Sequence, residues 1–374
     1  VFMEQNYAEK QLSIALPKIA ESMAKQWFGY VIYPQNNILF SYWLTQLVRF
    51  VFQFHDGHFP STQLDVNTLF VTDVIQEALL RDSYTRAGAL EPQEDLVDED
   101  AIRDHIGVNS VLKYKAPALM RMLRLVLGDA NTDYIQMAPV LFHRSLYSVN
   151  SFNFIDAVNY EWLWHNNGMV KDFEEFLQPW IKNKGYPLLH IIRVPNLGVL
   201  VLQTFIGTEF QVPISYTTRR ARNFDAVHPV MVTRTVTYLP MLFGARDWVL
   251  FNIQGQGYYR VNYDHDLWDA IIEDLQAPLM RDRIHSLNRA TLVDDALNIA
   301  RSGRLEYDIA FRVVLTMEHE TEYAPWKAFV RSMDFLRKRL VAYVDDDENL
   351  DSDIYLVSMR VFIVYIVFTG DGDT

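Results

Sequence analysis

Hydrophobic residues recur at helical spacing along the first part of the chain. The pattern predicts helices over residues 15–28 and 39–54. A third helix is predicted over residues 116–127, where Pro117 is acceptable because the first helical turn needs no backbone donor. The polar and acidic stretch 86–100 predicts a loop. The region up to about residue 180 is therefore expected to be mostly helical.

Between about residues 185 and 264 the pattern becomes that of short strands. β-Branched and aromatic residues are concentrated in runs that are separated by turn signals such as Gly207 and Gly244. The expected strands cover residues 190–194, 198–205, 230–238, 248–253 and 258–263. Gly255-Gln256-Gly257 is typical of a hairpin turn between the last two strands. Short strands at this spacing predict a small β-sandwich.

Helical spacing returns after about residue 265. The predicted helices cover residues 266–275, 286–301, 307–317, 325–340 and 355–368. Gly303 is expected to end the second of them, because glycine readily adopts the left-handed conformation after a helix. Short connections between these helices predict a helical solenoid or bundle.

The apolar segment 354–368 is the longest in the chain. It is too short for a transmembrane helix and Arg360 interrupts it, so a buried helix is predicted and no transmembrane segment. A buried helix needs neighbours on several sides. The chain is therefore expected to be cut short at this end, and the same is suspected of its start.

Composition and charge limit the classes of partner. With 374 residues, half of them hydrophobic, more than one packed core is expected. The net charge of −13 disfavours nucleic acid and anionic membranes, and favours basic partners. The chain has no cysteine, which excludes disulfides and thiolate metal sites.

Four segments resemble motifs of the M1 zinc aminopeptidases, in the same order and at sensible spacing. They are residues 257–264 (GYYRVNYD), 287–296 (LNRATLVDDA), 320–326 (ETEYAPW), and 180–181 (WI) followed by 185–187 (GYP). Within that family the chain is most similar in character to insect aminopeptidase N. The family's N-terminal β-domain and its GAMEN segment would lie ahead of this chain.

The resemblance implies a multidomain α+β fold. Residues 1–180 would be a mostly helical remnant of a thermolysin-like catalytic domain. Residues 181–264 would form the β-sandwich. Residues 265–374 would be a truncated, partial α-helical solenoid, the C-terminal (ERAP-like) domain.

The resemblance also implies a zinc site, but its residues are changed here. The family holds zinc through the two histidines of an HExxH helix, and the glutamate between them acts as general base on the zinc-bound water. Residues 26–29 (QWFG) match the segment that follows this motif. The histidine positions are then Glu21 and Lys25, and the catalytic glutamate position is Ser22. A protonated lysine repels a metal cation, so no zinc is expected.

The third zinc ligand of the family is also missing. Residues 43–48 best match the family's WLNEGFA segment and put Gln46 at the ligand position, with a two-residue insertion. Without that insertion the position falls on Leu44. His55 and His58 form the only close histidine pair. A surface metal site there competes with a simple polar loop, and nothing nearby completes a ligand set.

A tyrosine of the family stabilises the oxyanion of the tetrahedral intermediate. Counting back from residues 121–123 (RML), the tyrosine position is Lys113. Tyr114 is adjacent but would point in a different direction from a helix. Lys115 matches the family's lysine. Metal, base and oxyanion stabiliser are thus all expected to be lost.

These losses predict a catalytically inactive relative, a pseudoenzyme with a binding, scaffold or structural role. The resemblance implies an internal cavity, in which Gln26, Trp27 and Tyr114 are candidate contacts for a peptide or protein partner. Two alternatives stay open. One is an active zinc aminopeptidase whose catalytic residues are misaligned or supplied by another chain, and the other is a subunit of a larger assembly. The family implies an extracellular or membrane-anchored location, which the absence of cysteines and of a visible signal peptide leaves open.

Overall fold

The structure is a computed structural model in which part of the chain is described. The described residues are 66–84, 88–91, 98, 100, 112–127, 172–204, 209–224, 229–241, 244 and 246–344, together with 19, 22, 33–34 and 148–149. Helices and strands both occur among them, so the expected mixed α+β class is confirmed. The predicted helices 39–54 and 355–368 lie outside the described residues. The predicted helix 15–28 is represented by Ile19 and Ser22 alone, both helical.

Helices lie on both sides of the strands in the sequence. They are α1 (Val66–Phe70), α2 (Gln76–Asp82), α3 (Leu112–Leu127), α4 (Phe173–Lys182), α5 (His265–Gln276), α6 (Pro278–Arg281), α7 (Ser286–Arg301), α8 (Tyr307–Leu315) and α9 (Tyr323–Val344). A π-helical turn, Val71–Ile75, joins α1 to α2, and a 3-10 turn, Thr316–His319, follows α8. None of the described helices has the length and hydrophobicity required to cross a membrane.

The strands form one four-stranded sheet and three two-stranded sheets. They are β1 (Tyr33–Pro34), β2 (Ser148–Val149), β3 (Leu188–Val194), β4 (Gly198–Thr204), β5 (Val212–Ile214), β6 (Tyr216–Thr218), β7 (Val230–Val232), β8 (Val236–Pro240), β9 (Val249–Phe251) and β10 (Arg260–Tyr263). The large sheet has the order β10-β3-β4-β8, with β10 parallel to β3 and the other pairs antiparallel. β5 pairs with β7, β6 with β9 and β1 with β2. We call residues 188–263 the sheet region.

Two predictions for the sheet region are wrong. The single strand expected over 230–238 is two strands, because β7 pairs with β5 whereas β8 pairs with β4, so the chain changes sheets between them. The hairpin expected at Gly255-Gln256-Gly257 does not form. β9 and β10 belong to different sheets, and residues Ile253–Gly255 form a 3-10 turn instead.

The helix ends follow local sequence signals. Asp264 caps α5 by accepting a hydrogen bond from the backbone N–H of Leu267. The expected end of α7 is confirmed, because Gly303 has φ +73° and its N–H donates to the carbonyl of Ala300. The N–H of Arg304 reaches the carbonyl of Ile299, which completes a Schellman motif.

The helix α3 begins one turn earlier than the sequence predicts. It starts at Leu112, so Pro117 lies in the second turn and not in the first. Proline has no N–H, so the carbonyl of Lys113 cannot receive the usual helical bond from residue 117. The residues from Lys115 to Leu123 are all buried, which makes α3 a central helix of the described part.

Gly198, the first residue of β4, lies against the neighbouring strand. Its φ is +149°, and a Cβ atom there would lie 2.1 Å from the backbone oxygen of Leu239. We therefore expect Gly198→Ala to lower the free energy of unfolding by about 3 kcal/mol or more, since backbone atoms must move. Urea unfolding measures the loss.

Gly303→Ala is the matched control for Gly198→Ala. It also has a positive φ, but an added Cβ there meets nothing within 4 Å. Only the backbone penalty of about 1 kcal/mol applies. Equal losses for the two variants would contradict the steric explanation.

Candidate functional site

The helix α3 carries the position at which the sequence predicts a lost oxyanion stabiliser. Lys113 and Tyr114 are both half-buried there. The ammonium of Lys113 lies 5.7 Å from the centre of the Tyr114 ring, and the guanidinium of Arg81 lies 5.0 Å from it. Position 113 is a lysine, whereas the resemblance implies a tyrosine there, whose hydroxyl would donate a hydrogen bond to the oxyanion.

Two residues further along α3, Lys115 is completely buried. Its ammonium lies 2.8 Å from Oδ2 of Asp82, whose side chain is also completely buried. The same ammonium donates to the backbone carbonyls of Asn183 and Gly185, at 3.0 Å each. An ammonium group has three protons, and these three acceptors satisfy all of them. Lys115 therefore fixes the rotation of α3.

Asp82 connects α3 to the sheet region. Its Oδ1 accepts a hydrogen bond from the N–H of Gly185 at 2.8 Å, and its Oδ2 accepts one from the hydroxyl of Tyr258 at 3.0 Å. Burial raises the pKa of Tyr258 well above its usual value, and the nearby Asp82 carboxylate adds to the shift. Tyr258 is therefore neutral at physiological pH and acts as a hydrogen-bond donor.

A second group of buried charges follows directly. The ring of Tyr186 packs edge-on against Tyr258, with 5.9 Å between the ring centres. Its hydroxyl accepts a hydrogen bond from Nε of Arg260 at 3.0 Å. Nη1 of Arg260 donates to Asp294 at 2.6 Å and to Asp295 at 2.7 Å. These side chains join β10 to α7.

The two aspartates are further held by polar groups around them. Oδ2 of Asp295 accepts the N–H of Val261 at 3.0 Å. Oδ1 of Asp294 accepts hydrogen bonds from the hydroxyl of Ser332 at 2.8 Å and from the amide of Asn298 at 3.1 Å. Ser332 lies on α9, so the network extends from α2 and α3 through the sheet region to α9. We call this set of side chains, Asp82, Lys115, Tyr186, Tyr258, Arg260, Asp294, Asp295 and Ser332, the buried polar network.

A separate ion pair fixes the C-terminal helices to each other. Arg289 on α7 binds Glu320 through two parallel hydrogen bonds of 2.7 and 2.9 Å. Burial favours the neutral form of Glu320, but its bonds to Arg289 and to the N–H groups of Thr321 and Glu322 outweigh burial and lower its pKa. The indole of Trp326 donates to the carbonyl of Glu320 at 3.0 Å. The segment 320–326 is thus a structural joint.

The turn before β10 is held by α7 as well. Asn252 and Gln254 both have a positive φ, which is uncommon for residues other than glycine. The side-chain oxygen of Asn288 accepts the N–H of Gln254 at 2.9 Å, and its amide donates to the carbonyl of Asn252 at 3.2 Å. The first asparagine of α7 therefore stabilises the strained turn.

The expected zinc-site positions are mostly outside the described residues. Glu21, Lys25 and Gln46 lie there, as do Gln26 and Trp27 of the expected cavity. Ser22 is described; it is helical and exposed. His55 and His58 also lie outside.

The donor chemistry at these positions does not fit zinc. One carboxylate, one ammonium and one amide would replace two imidazoles and a carboxylate, and only the carboxylate is a usual zinc ligand. In the ranges that the structure describes, no three His, Asp or Glu side chains are grouped so as to hold a metal ion.

Sequence reasoning missed the partners within the buried polar network. Asp82 was not singled out, and the charged residues of the two longest motifs were treated only as marks of resemblance. One signal was available, because α7 carries Asn288, Arg289, Asp294 and Asp295 among apolar residues on every face. Charges in a helix that is buried all round must be paired.

Comparisons with known proteins agree with these motifs. Residues 248–354 match the family model described as the ERAP1-like C-terminal domain. Over 372 residues the chain is 26% identical to membrane alanyl aminopeptidase of Heliothis virescens. The aligned region covers 94% of this chain and 36% of that protein. It is 26% identical over 359 residues to the thyrotropin-releasing hormone-degrading ectoenzyme of Rattus norvegicus. This alignment covers 86% of this chain and 31% of that protein.

A shorter match is more similar. Over 176 residues the chain is 31% identical to aminopeptidase N of Plutella xylostella, covering 43% of this chain and 18% of that protein. The chain spans about a third of the length of the relatives that it matches over most of its own length.

Proposed function

We propose that this chain, which is related in sequence to the M1-family aminopeptidases, is a non-catalytic relative that binds a peptide or protein partner. The observation that carries the proposal is the identity of residue 113. Residues Arg121-Met122-Leu123 and Lys115 match the family's segment in sequence, and counting from them we infer that Lys113 stands at the tyrosine position. A lysine cation next to Tyr114 cannot reproduce a phenol at that point, because its length, charge and shape all differ.

The changed metal positions support the same proposal. Tight zinc binding needs three protein ligands that donate electron pairs, and a protonated Lys25 donates none. Ser22 has no carboxylate with which to act as general base. Four positions, 21, 22, 25 and 113, would have to change together before the hydrolysis of the family could proceed, with position 46 as a fifth.

Buried ion pairs between elements support a binding or scaffold role. Lys115–Asp82, Arg260 with its two aspartates, and Arg289–Glu320 are all buried and hydrogen-bonded. We propose that they hold together a catalytic-domain remnant (1–180), a β-sandwich (181–264) and a helical solenoid (265–374). An internal cavity between these parts, with Gln26, Trp27 and Tyr114 at its wall, would be the binding site. The net charge of −13 favours basic peptides.

Metal content and turnover test the proposal. We expect the purified full-length protein to contain no stoichiometric zinc after incubation with the metal. We also expect it to release no amine from aminoacyl-naphthylamides above the uncatalysed background. Elemental mass spectrometry and a fluorescence assay measure these quantities.

Lys113→Tyr is the informative variant. It returns the phenol but no metal ligand, so we expect it to stay inactive. The proposal would be wrong if the unmodified protein bound one zinc per chain and showed turnover that a chelator abolishes. That result would support an active aminopeptidase whose catalytic residues are misaligned or supplied by another chain. Sedimentation of the same sample distinguishes a monomer from a subunit of a larger assembly.

A further inference from the structure

The buried polar network contains unequal numbers of positive and negative groups. Lys115 and Arg260 are its cations, and Asp82, Asp294 and Asp295 are its potential anions. All five side chains are buried. If every carboxyl were ionised, the network would carry one uncompensated negative charge away from water.

An uncompensated buried charge is costly, and a group in this situation usually takes up a proton instead. Lys115 neutralises Asp82 directly, because their charged atoms lie 2.8 Å apart. The excess therefore falls on Asp294 and Asp295, which share the single guanidinium of Arg260. One guanidinium can compensate the charge of only one of these two carboxylates.

Within the part of the chain that the structure describes, the surroundings of the pair provide no second cation. The groups that face the aspartate pair come from three parts of the chain. Arg260 and Tyr263 lie on β10, with Tyr259 just before it. Tyr186 lies ahead of β3, and Ser332 lies on α9. Burial raises the pKa of each of these tyrosines, so all three stay neutral. The hydroxyl of Ser332 donates a hydrogen bond to Asp294 and could rotate to accept one from the protonated acid, since a hydroxyl both donates and accepts.

We propose that Asp294, Asp295 and Arg260 form a proton-linked joint between β10 and α7, which holds one proton when packed and weakens when that proton is lost. The joint lies in the middle of the network that connects α2 and α3 to α9. Its protonation state would therefore set how firmly the C-terminal helices are attached to the sheet region. This proposal does not depend on the loss of peptidase activity.

The direction in which stability changes with pH follows from the number of protons that the folded and unfolded chains bind. Burial raises the pKa of Asp295 to about 7; Arg260 opposes the shift and Asp294 adds to it. In the unfolded chain both carboxyls ionise near pH 4. Between those values the folded protein binds one more proton than the unfolded chain, so stability decreases as pH rises.

Unfolding by urea across pH tests the joint, in the full chain and in Asp295→Asn, which carries a neutral isostere of the protonated acid. Relative to this variant, we expect the folded-to-unfolded ratio of the unmodified protein to fall about tenfold per pH unit between about pH 5 and 6.5, and to level off above about pH 8. Asp294→Asn should also reduce the pH dependence, because Arg260 then compensates the single carboxylate that is left. Asp269→Asn is the control, because Asp269 is exposed and pairs with Arg312 on the surface.

A spectroscopic readout covers the case in which a variant does not fold. The infrared C=O stretch of a buried carboxylic acid should be present in the native, unmodified protein at about pH 6 and disappear by about pH 8.5. Urea curves that are parallel for the unmodified protein and both aspartate variants would overturn the proposal. So would the absence of the carboxylic acid band at the lower pH.

Discussion

Arg260→Met should lower the free energy of unfolding by about 3–5 kcal/mol, because it removes the cation that pairs with two buried aspartates. Methionine fills a similar volume but leaves both carboxyls without their charge-assisted hydrogen bonds. It also leaves the hydroxyl of Tyr186 without its bond to Nε. Urea unfolding at a fixed, near-neutral pH measures the loss.

Arg312→Met is the matched control for Arg260→Met. Arg312 also pairs with an aspartate, at 2.8 Å, but both side chains are well exposed. Exposed pairs of this kind contribute about 1 kcal/mol or less. The double variant Arg260→Met, Asp295→Asn has one buried charge fewer than Arg260→Met alone. We therefore expect it to recover part of the lost stability. Similar losses for Arg260→Met and Arg312→Met would show that the buried cluster has no special role.

The helices near the C-terminus were predictable because their signals are local. The limits of α7 follow from the apolar spacing of residues 286–301 and from Gly303, and the structure has the same limits. The start of α3 was missed because Pro117 was taken as a first-turn residue. Local signals place proline near a helix start but do not say how many residues precede it.

The sheet region was harder to predict because sheet pairing is not local. β10 lies parallel to β3, about 70 residues earlier, whereas β9, just before it, pairs with β6. A Gly-Gln-Gly segment between two runs of β-branched residues signals a hairpin only if the two runs are neighbours in one sheet. Nothing in the local sequence carries that information.

The residues of the candidate site also differ in how far they could be predicted, because some depend on local sequence and others on distant contacts. That Lys113 replaces a tyrosine is a prediction from the sequence alone, which was possible because RML begins only eight residues away on the same helix. The partners of Lys115 and Arg260 could not be predicted, because they lie far away in the sequence. Lys115 pairs with Asp82 on another helix, and Arg260 pairs with aspartates 34 and 35 residues away. Ion pairs of this kind require the folded arrangement.

The structural role of the motifs has a consequence for assigning function. Several residues of the motif segments make buried contacts between elements. They are Tyr258, Arg260, Asn288, Arg289, Asp295 and Glu320. Similarity in these segments therefore reports a shared fold, not a shared reaction. Activity has to be argued from positions 21, 22, 25, 46 and 113, at which the sequence predicts that the family's metal-binding and catalytic residues are replaced.

Lys115→Met should also destabilise the protein strongly, by about 3–5 kcal/mol, because it strands a completely buried carboxylate. Asp82 would keep its bonds from Gly185 and Tyr258 but lose its counter-charge. The carbonyls of Asn183 and Gly185 would lose a donor at the same time. Urea unfolding is again the measurement.

Lys113→Met is the matched control, since it makes the same change two residues earlier on α3 at a half-buried position. There it removes only a contact with the Tyr114 ring, so a loss of at most about 1 kcal/mol is expected. Adding Asp82→Asn to Lys115→Met should recover stability, because no charge is then left buried without a partner. If Lys113→Met destabilised as much as Lys115→Met, the register of α3 would be wrong, and with it the position that carries the proposed loss of catalysis.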